Sequence, residues 1–379
     1  MTWTSSLLVL ALLYVALKSV SSVFERQRIK RLGALPTKVP NYLPLGIDVI
    51  LRSVKCSWTN RDLDLWKWFF GHVPHHSDTI ETCFGGQRYI FTADPENIKA
   101  ILATQFRDYG KGQTFFNDWR PFLGSSIFTT DGDLWHASRQ LIRPQFAKER
   151  VKDLDIFEEQ VQKVIAQLGG SGQPVDIAAL FYRFALDATT AFLLGQSVGS
   201  LDSPHADFAE AFNEAQRIQN LVGRTGPMNI FVPRFSMWKS LKIINHFVKP
   251  FIDTVLRINV HDLKERSNDT LLESMAAQGM RDPDHIRDQI VAVLLAGRDT
   301  TAGALSFLFQ ELSRHPIIFA KLRKEILEVV GANERPTYEQ LKEMPYLKNA
   351  INEVLRLYPS VPFNVSLVMF VDVHPLMRG

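Results

Sequence analysis

Apolar residues recur every three to four positions along most of this 379-residue chain, the spacing of amphipathic helices. One stretch breaks that rhythm. Positions 79–84 and 88–92 are rich in β-prone residues, with Gly85 and Gly86 between them, and predict a hairpin over 78–92. Pro95 then opens a helix reaching Leu102. Helical spacing predicts further helices over 134–143, 148–168, 177–194, 206–219 and 236–264. No repeat, low-complexity tract or linker divides this body, so the pattern predicts one mainly α domain with a small β portion.

The most informative run lies between Asp282 and Pro316. Asp282 is placed as an N-cap and Pro283 as the first helical residue, while Pro316 stops the helix after Arg314. Residues 283–314, at about 1.5 Å each, make a rod of roughly 48 Å. Its middle, 290–296 and 302–309, is apolar on every side, which predicts a helix buried through the domain centre. Arg298 and Asp299 at the midpoint argue against a membrane span. Glycine and charge at the buried middle of a helix break local rules, and function tends to sit at such breaks.

The N-terminal end has a different pattern. No charge occurs from Thr2 to Leu17, positions 7–17 are almost wholly aliphatic, and 19–24 extend the apolar run beyond Lys18. About 20 such residues cross a bilayer, with the lysine snorkelling and Trp3 placed as an interfacial anchor. Arg26, Arg28, Lys30 and Arg31 follow against a single Glu25, which by the positive-inside rule keeps the body cytosolic. Residues 1–24 therefore read as a single-pass anchor. A cleaved signal peptide is the competing reading; positions 19–22 suit cleavage, but the basic leading region is missing. Pro36, Pro40 and Pro44 then make 25–45 a basic, proline-rich hinge that excludes a helix interior.

Composition changes this picture little. A net charge of +3 with 22% charged residues excludes a disordered tail, and the scattered Lys and Arg exclude a nucleic-acid footprint. Cys56 and Cys83 are the only cysteines, and they read as reduced thiols rather than a disulfide. The 26 phenylalanines suit a large apolar core or an apolar pocket equally well.

Candidate chemistry concentrates in three places. At the midpoint of the long helix stands Ala296-Gly297-Arg298-Asp299-Thr300-Thr301. Gly297 leaves space against the backbone, Asp299 is a proton-relay candidate, and Thr300 either bonds back to a carbonyl or turns into the gap. The plain alternative is a kink with a solvated charge. Second, Trp135 and Arg139 share one helical face at i,i+4, an indole N–H and a guanidinium suited to a carboxylate. Third, Glu353 and Arg356 pair at i,i+3 on a helix from about 346 to 358 that Pro359 ends. Leu347, Ile351, Val354 and Leu355 predict that this helix is largely buried, where each charge demands its partner.

These three motifs, in this order, resemble the cytochrome P450 family of haem-thiolate monooxygenases. The long helix matches that family's (Ala/Gly)-Gly-x-(Asp/Glu)-Thr-Thr pattern at every fixed position. The resemblance implies a mainly α fold and a haem cofactor. Asp299 and Thr300 are then the catalytic proton relay, and Ala296 and Gly297 make room for dioxygen beside the haem. Trp135 and Arg139 would hold a haem propionate, while Glu353 and Arg356 have a structural role. Residues 139–146 and 359–364 further resemble the fungal microsomal branch that hydroxylates alkanes and fatty acids. The implied partners are an NADPH-cytochrome reductase, the endoplasmic reticulum membrane and a long apolar substrate.

The resemblance runs to about Ser366, so 46–366 reads as an incomplete domain of this family and 367–379 as an aberrant tail. The family's cysteine loop, which follows the Glu-x-x-Arg helix and supplies the thiolate, has no counterpart in 357–379. Cys56 and Cys83 both precede the propionate helix, and His374 stands on a short tail, so none replaces it. No metal ligand is therefore assigned, and the chain is expected to be inactive by itself. The alternatives are a non-catalytic, membrane-tethered relative and a helical scaffold with coincidental motifs.

Overall fold

The computed structural model describes residues 24, 27, 28, 30, 31, 37–43, 46–59, 61–72, 78–84, 87–146, 154–168, 174–203, 207–265, 270–362 and 364–368. The anchor assigned to 1–24 lies outside them except for Phe24, and so do Gly85, Gly86 and His374. Two compact units divide the chain: Met1–Thr104 with Arg224–Met228, and Gln105–Gly223 with Asn229–Gly379.

The first unit is built on a three-stranded sheet. Strand β1 (Thr37–Lys38) is followed by helices α1 (Ile47–Trp58) and α2 (Asp62–Phe70), then by β2 (Thr79–Phe84) and β3 (Gln87–Thr92). The hairpin expected from sequence forms, with Thr79 opposite Thr92 and Phe84 opposite Gln87. Strand β1 joins it in parallel, Thr37 opposite Ile80, and Val39 is buried with Val49, Leu65, Phe69 and Ile80. Part of the supposed hinge is thus a sheet strand, because β-prone Thr37–Val39 gains ladder bonds and an apolar seat that a free linker lacks. Helix α3 (Pro95–Lys99) starts where Asp94 accepts from the backbone N–H groups of Glu96 and Asn97. It is shorter than expected and gives way to a π-helical turn, Ala100–Thr104.

The second unit holds the remaining helices: α4 (Gly112–Leu123), α5 (Gly132–Ile142), α6 (Asp155–Gln167), α7 (Ile177–Leu194), α8 (Asp207–Thr225), α9 (Phe235–Leu256), α10 (Val260–Glu265), α11 (Leu271–Ala277), α12 (Pro283–Arg314), α13 (Pro316–Val329), α14 (Tyr338–Lys342) and α15 (Pro345–Leu357). A two-residue antiparallel pairing joins β4 (Tyr109–Gly110) to β5 (Leu367–Val368), so the start of the supposed tail is sheet. The single helix expected over 236–264 is two helices, since Asn259 caps the N–H of His261 and starts α10 anew.

Helix α12 forms as the sequence predicts, with Asp282 capping the N–H of Asp284. Both α7 and α12 are long and apolar enough to cross a bilayer, but they pack along one another. The unit's main core gathers Phe122, Leu186, Phe212, Ile244, Met275 and Ile290 from α4, α7, α8, α9, α11 and α12. Burial of α12 is uneven. Positions 290–294 are buried, whereas Phe307 and Phe309 in its C-terminal half are 37% and 47% exposed. A rod buried along its whole length is therefore not what forms: α7, α8, α9 and α11 cover the N-terminal half. The other half meets α13 and α15 through Leu308 and Leu312, and α7 through Ala302, Leu305 and Phe309, which leaves part of it open.

Candidate functional site

The loop between α4 and α5 fixes where Trp135 and Arg139 stand. Gly124 adopts φ +57°, and a Cβ there would fall 1.8 Å from the Asp288 carboxyl carbon of α12. That close approach lets Asp288 accept from Ser125 N–H at 2.7 Å, while Gln289 accepts from Ile127 N–H at 3.1 Å. Gln289 also donates to Ser138 Oγ on α5 at 2.9 Å, and Arg287 donates to Phe122 O at 3.0 Å. Three consecutive residues of α12 thus bind α4, the loop and α5 into one frame. Burial pushes the Asp288 carboxyl above the usual range, against the lowering pull of Ser125 N–H and Arg287.

On α5 the expected i,i+4 pairing is present. The Arg139 guanidinium lies 5.5 Å from the Trp135 ring centroid, and Phe106 packs on the same indole at 5.0 Å. Trp135 is half-buried and Arg139 exposed, and among the described residues Arg139 has no hydrogen-bond or ion-pair partner. Its fork of N–H donors is therefore free to bind a carboxylate.

The midpoint of α12 is organised in a way the sequence only partly reveals. A Cβ at Gly297 would meet Thr189 of α7 at 2.9 Å, so the missing side chain serves the close crossing of α7 and α12. Thr300 Oγ1 donates to Ala296 O at 2.7 Å, and Ser360 Oγ donates to Thr300 O at 3.1 Å. Thr300, Thr301, Ala304, Leu305 and Leu308 line a cleft of about 470 Å³, closed on its far side by Ile351, Val354, Leu355 and residues 359–361. Apolar carbon makes up most of that lining.

Asp299 is held from two sides: Gln216 of α8 donates to one carboxylate oxygen, and Arg298 donates to the other at 3.2 Å. Arg298 is only 4% exposed and lies over the rings of Tyr182 and Phe212. Burial pushes the Asp299 carboxyl upward, with Arg298 and Gln216 pulling it back, and burial lowers Arg298 against the raising effect of Asp299. Desolvation outweighs pairing for both partners. Gln216 and Asn213 escaped the sequence reading; their signal was two polar residues beside the apolar stripe of α8 that carries Phe212 and Ala215.

Glu353 and Arg356 do pair, through two bonds of 2.7 Å. The expected burial does not occur: their side chains are 56% and 66% exposed, and only Val354 of α15 is buried. Ile351 and Leu355, the basis for that expectation, face the open cleft instead. Both cysteines are free and belong to the first unit.

A cytochrome P450 family model matches residues 69–374, most of the chain. The chain belongs to the cytochrome P450 family. The match reaches past Ser366 into the segment that the motifs alone left aside. The chain is 43% identical to cytochrome P450 monooxygenase pvhE of Talaromyces variabilis, over 95% of this chain and 70% of that protein. It is 42% identical to cytochrome P450 52A1 of Candida tropicalis, over 79% of this chain and 59% of that one. For cytochrome P450 52A12 of Debaryomyces hansenii the identity is 37%, over 90% and 70% respectively. The chain therefore spans about 59–70% of the length of these fungal relatives, and the placement in a fungal branch of the family holds.

Members of this family are haem-dependent monooxygenases. The residues on α5 fit that cofactor's rim: an exposed guanidinium with no hydrogen bond or ion pair among the described residues, beside an indole N–H, is a donor set for carboxylates. A thiolate is a different matter. The unit that carries α5 and α12 contains no cysteine, and the described residues include no cluster of three or more His, Cys, Asp or Glu that would hold a metal.

Proposed function

We propose that the P450 represented by this chain inserts one oxygen atom into a long apolar substrate, an alkane or fatty acid. It works at the endoplasmic reticulum membrane with electrons from an NADPH-dependent reductase. The observation that carries this reading is a cleft lined mainly by aliphatic carbon that Thr300 borders on α12, next in sequence to the buried acid Asp299. Resemblance to the fungal microsomal branch supports the substrate class, the membrane setting and the reductase.

Haem, when bound, supplies the oxygen-activating chemistry. The residues of this chain bind, orient and move protons. Arg139 and Trp135 hold a propionate. Asp299, whose carboxyl burial pushes above the usual range, takes up and releases a proton at a carboxylate oxygen; Thr300 passes it on by rotating its hydroxyl away from Ala296 O. Ala296 and Gly297 border that position. The apolar lining of the cleft favours extended hydrocarbon.

The proposal extends to the thiolate: residues 1–379 by themselves do not put cysteine sulfur on iron, because Cys56 and Cys83 both precede the propionate helix and no cysteine follows the Glu-x-x-Arg helix within them. Two measurements test these statements. Haem-loaded, reduced and carbon-monoxide-treated protein of residues 1–379 should lack the absorption band of a thiolate-ligated haem; that band would overturn the ligand statement. Protein from the same coding region that does show the band should hydroxylate a long-chain fatty acid with reductase and NADPH. Turnover of compact aromatic compounds alone would sink the substrate reading and favour a different branch, and no turnover with any substrate would favour a non-catalytic relative.

A further inference from the structure

The Arg298–Asp299 pair is tied to α8 at two points, and nothing in the three motifs requires either. Gln216 donates its amide to Asp299, and Asn213 accepts from the Arg298 guanidinium through its side-chain oxygen. The two residues are three apart, so they share one face of α8. Phe212, beside Asn213, presents its ring to the same guanidinium at 5.5 Å, and Tyr182 of α7 does so at 5.2 Å. Arg298 is thereby held in a narrow slot. Its Nε has no hydrogen-bond partner among the described residues, so its position depends on the two rings, Asn213 and Asp299.

From this arrangement we infer that Gln216 and Asn213 are positioning residues for Asp299: Gln216 orients the carboxylate directly, and Asn213 does so through Arg298. The inference rests on the reading of Asp299 as the proton-delivering acid. Its consequence is that the acid's orientation follows the placement of α8, since both amides belong to that helix while the acid belongs to α12. A carboxylate with one oxygen on an amide and the other on a guanidinium cannot turn freely toward Thr300. Releasing Gln216 frees one oxygen, and losing Asn213 loosens the guanidinium that holds the other.

The ionisable groups around Asp299 are few. Arg298 lies on its own helix, and Tyr182 approaches from α7. On α8, Glu214 and Arg217 pair with one another at 2.7 Å. A change in Asp299 caused by a neutral substitution at 216 therefore has a short list of origins.

The test uses the full chain in detergent micelles and the infrared carboxyl stretch of Asp299, assigned by its loss in Asp299→Asn. Gln216→Met keeps the length of the side chain and removes the donor. It should shift the band and weaken the acid about tenfold, the size expected for losing a hydrogen bond to a charged group. Asn213→Leu should move the band in the same direction by less. A merely structural role for the two amides predicts lower melting temperatures with the Asp299 band and titration midpoint unchanged, and that result overturns the inference. Failure of the underlying reading is separate: it shows as an unaltered ratio of product to NADPH in Asp299→Asn of thiolate-bearing protein, whatever the infrared titration gives.

Discussion

A methyl group at position 297 would sit 2.9 Å from Thr189 Cγ2 and Oγ1, closer than van der Waals contact allows. Gly297→Ala should therefore cost about 1–3 kcal/mol by overpacking. Thr189→Gly in the same protein should recover most of that loss, as read by chemical denaturation. Equal costs in both backgrounds would show that the crossing of α7 and α12 is not the constraint. Asp299 carries a pH signature. Its folded carboxyl is pushed up by burial, so the native state binds its proton more tightly than the unfolded chain. Stability from this group is then greatest at low pH and falls as pH rises from the ordinary carboxylate value through the raised one. Asp299→Asn should flatten that fall in denaturation midpoints collected across the acid and neutral range; an unchanged profile would assign the pH dependence elsewhere, Asp288 being the next candidate.

At the scale of elements, the strap from α12 to the α4–α5 loop decides whether the propionate donors are in place. Gly124 has both a left-handed φ and no room for a Cβ against Asp288. Gly124→Ala should cost about 2–4 kcal/mol, from backbone strain together with loss of the Asp288–Ser125 bond. Its second effect should be weaker haem uptake, because α5 is held through the same loop; a destabilised variant with undiminished haem affinity would count against that link. Helix α15 predicts the opposite behaviour. Glu353 and Arg356 are mostly exposed, so Glu353→Gln should leave the melting temperature of this chain unchanged within error. A large loss would mean that the pair is covered in solution by residues outside those described.

At the scale of the molecule, apolar surface is unevenly covered. Phe307 and Phe309 on α12, Ile351 and Leu355 on α15 and Val361 beyond it are all exposed. Such a surface favours association, so this chain should self-associate and bind a hydrophobic dye even in mild detergent. Leu355→Glu and Val361→Glu together should reduce both signals in light scattering and dye fluorescence. A monodisperse, cooperatively melting preparation of residues 25–379 without dye binding would overturn this expectation.

The family and most helices were legible from local order alone. Caps such as Asp282, prolines at 283 and 316, and helical spacing act over a few residues, so the sequence carries them directly. The motif at 296–301 was legible for the same reason, and so was the i,i+4 pairing of Trp135 with Arg139. What occupies the space beside those residues was decided by tertiary contacts between distant segments. Thr189 fills the space that Gly297 leaves, Gln216 and Asn213 grip the acid and its arginine, and Asp288 fits against Gly124. The burial of α15 was misread because an apolar side chain predicts a partner but does not create one. Ile351 and Leu355 are apolar at helical spacing, yet they remain 39% and 40% exposed on the open cleft. Local propensity determines which face of a helix is apolar; only packing across the chain determines which neighbour, if any, that face meets.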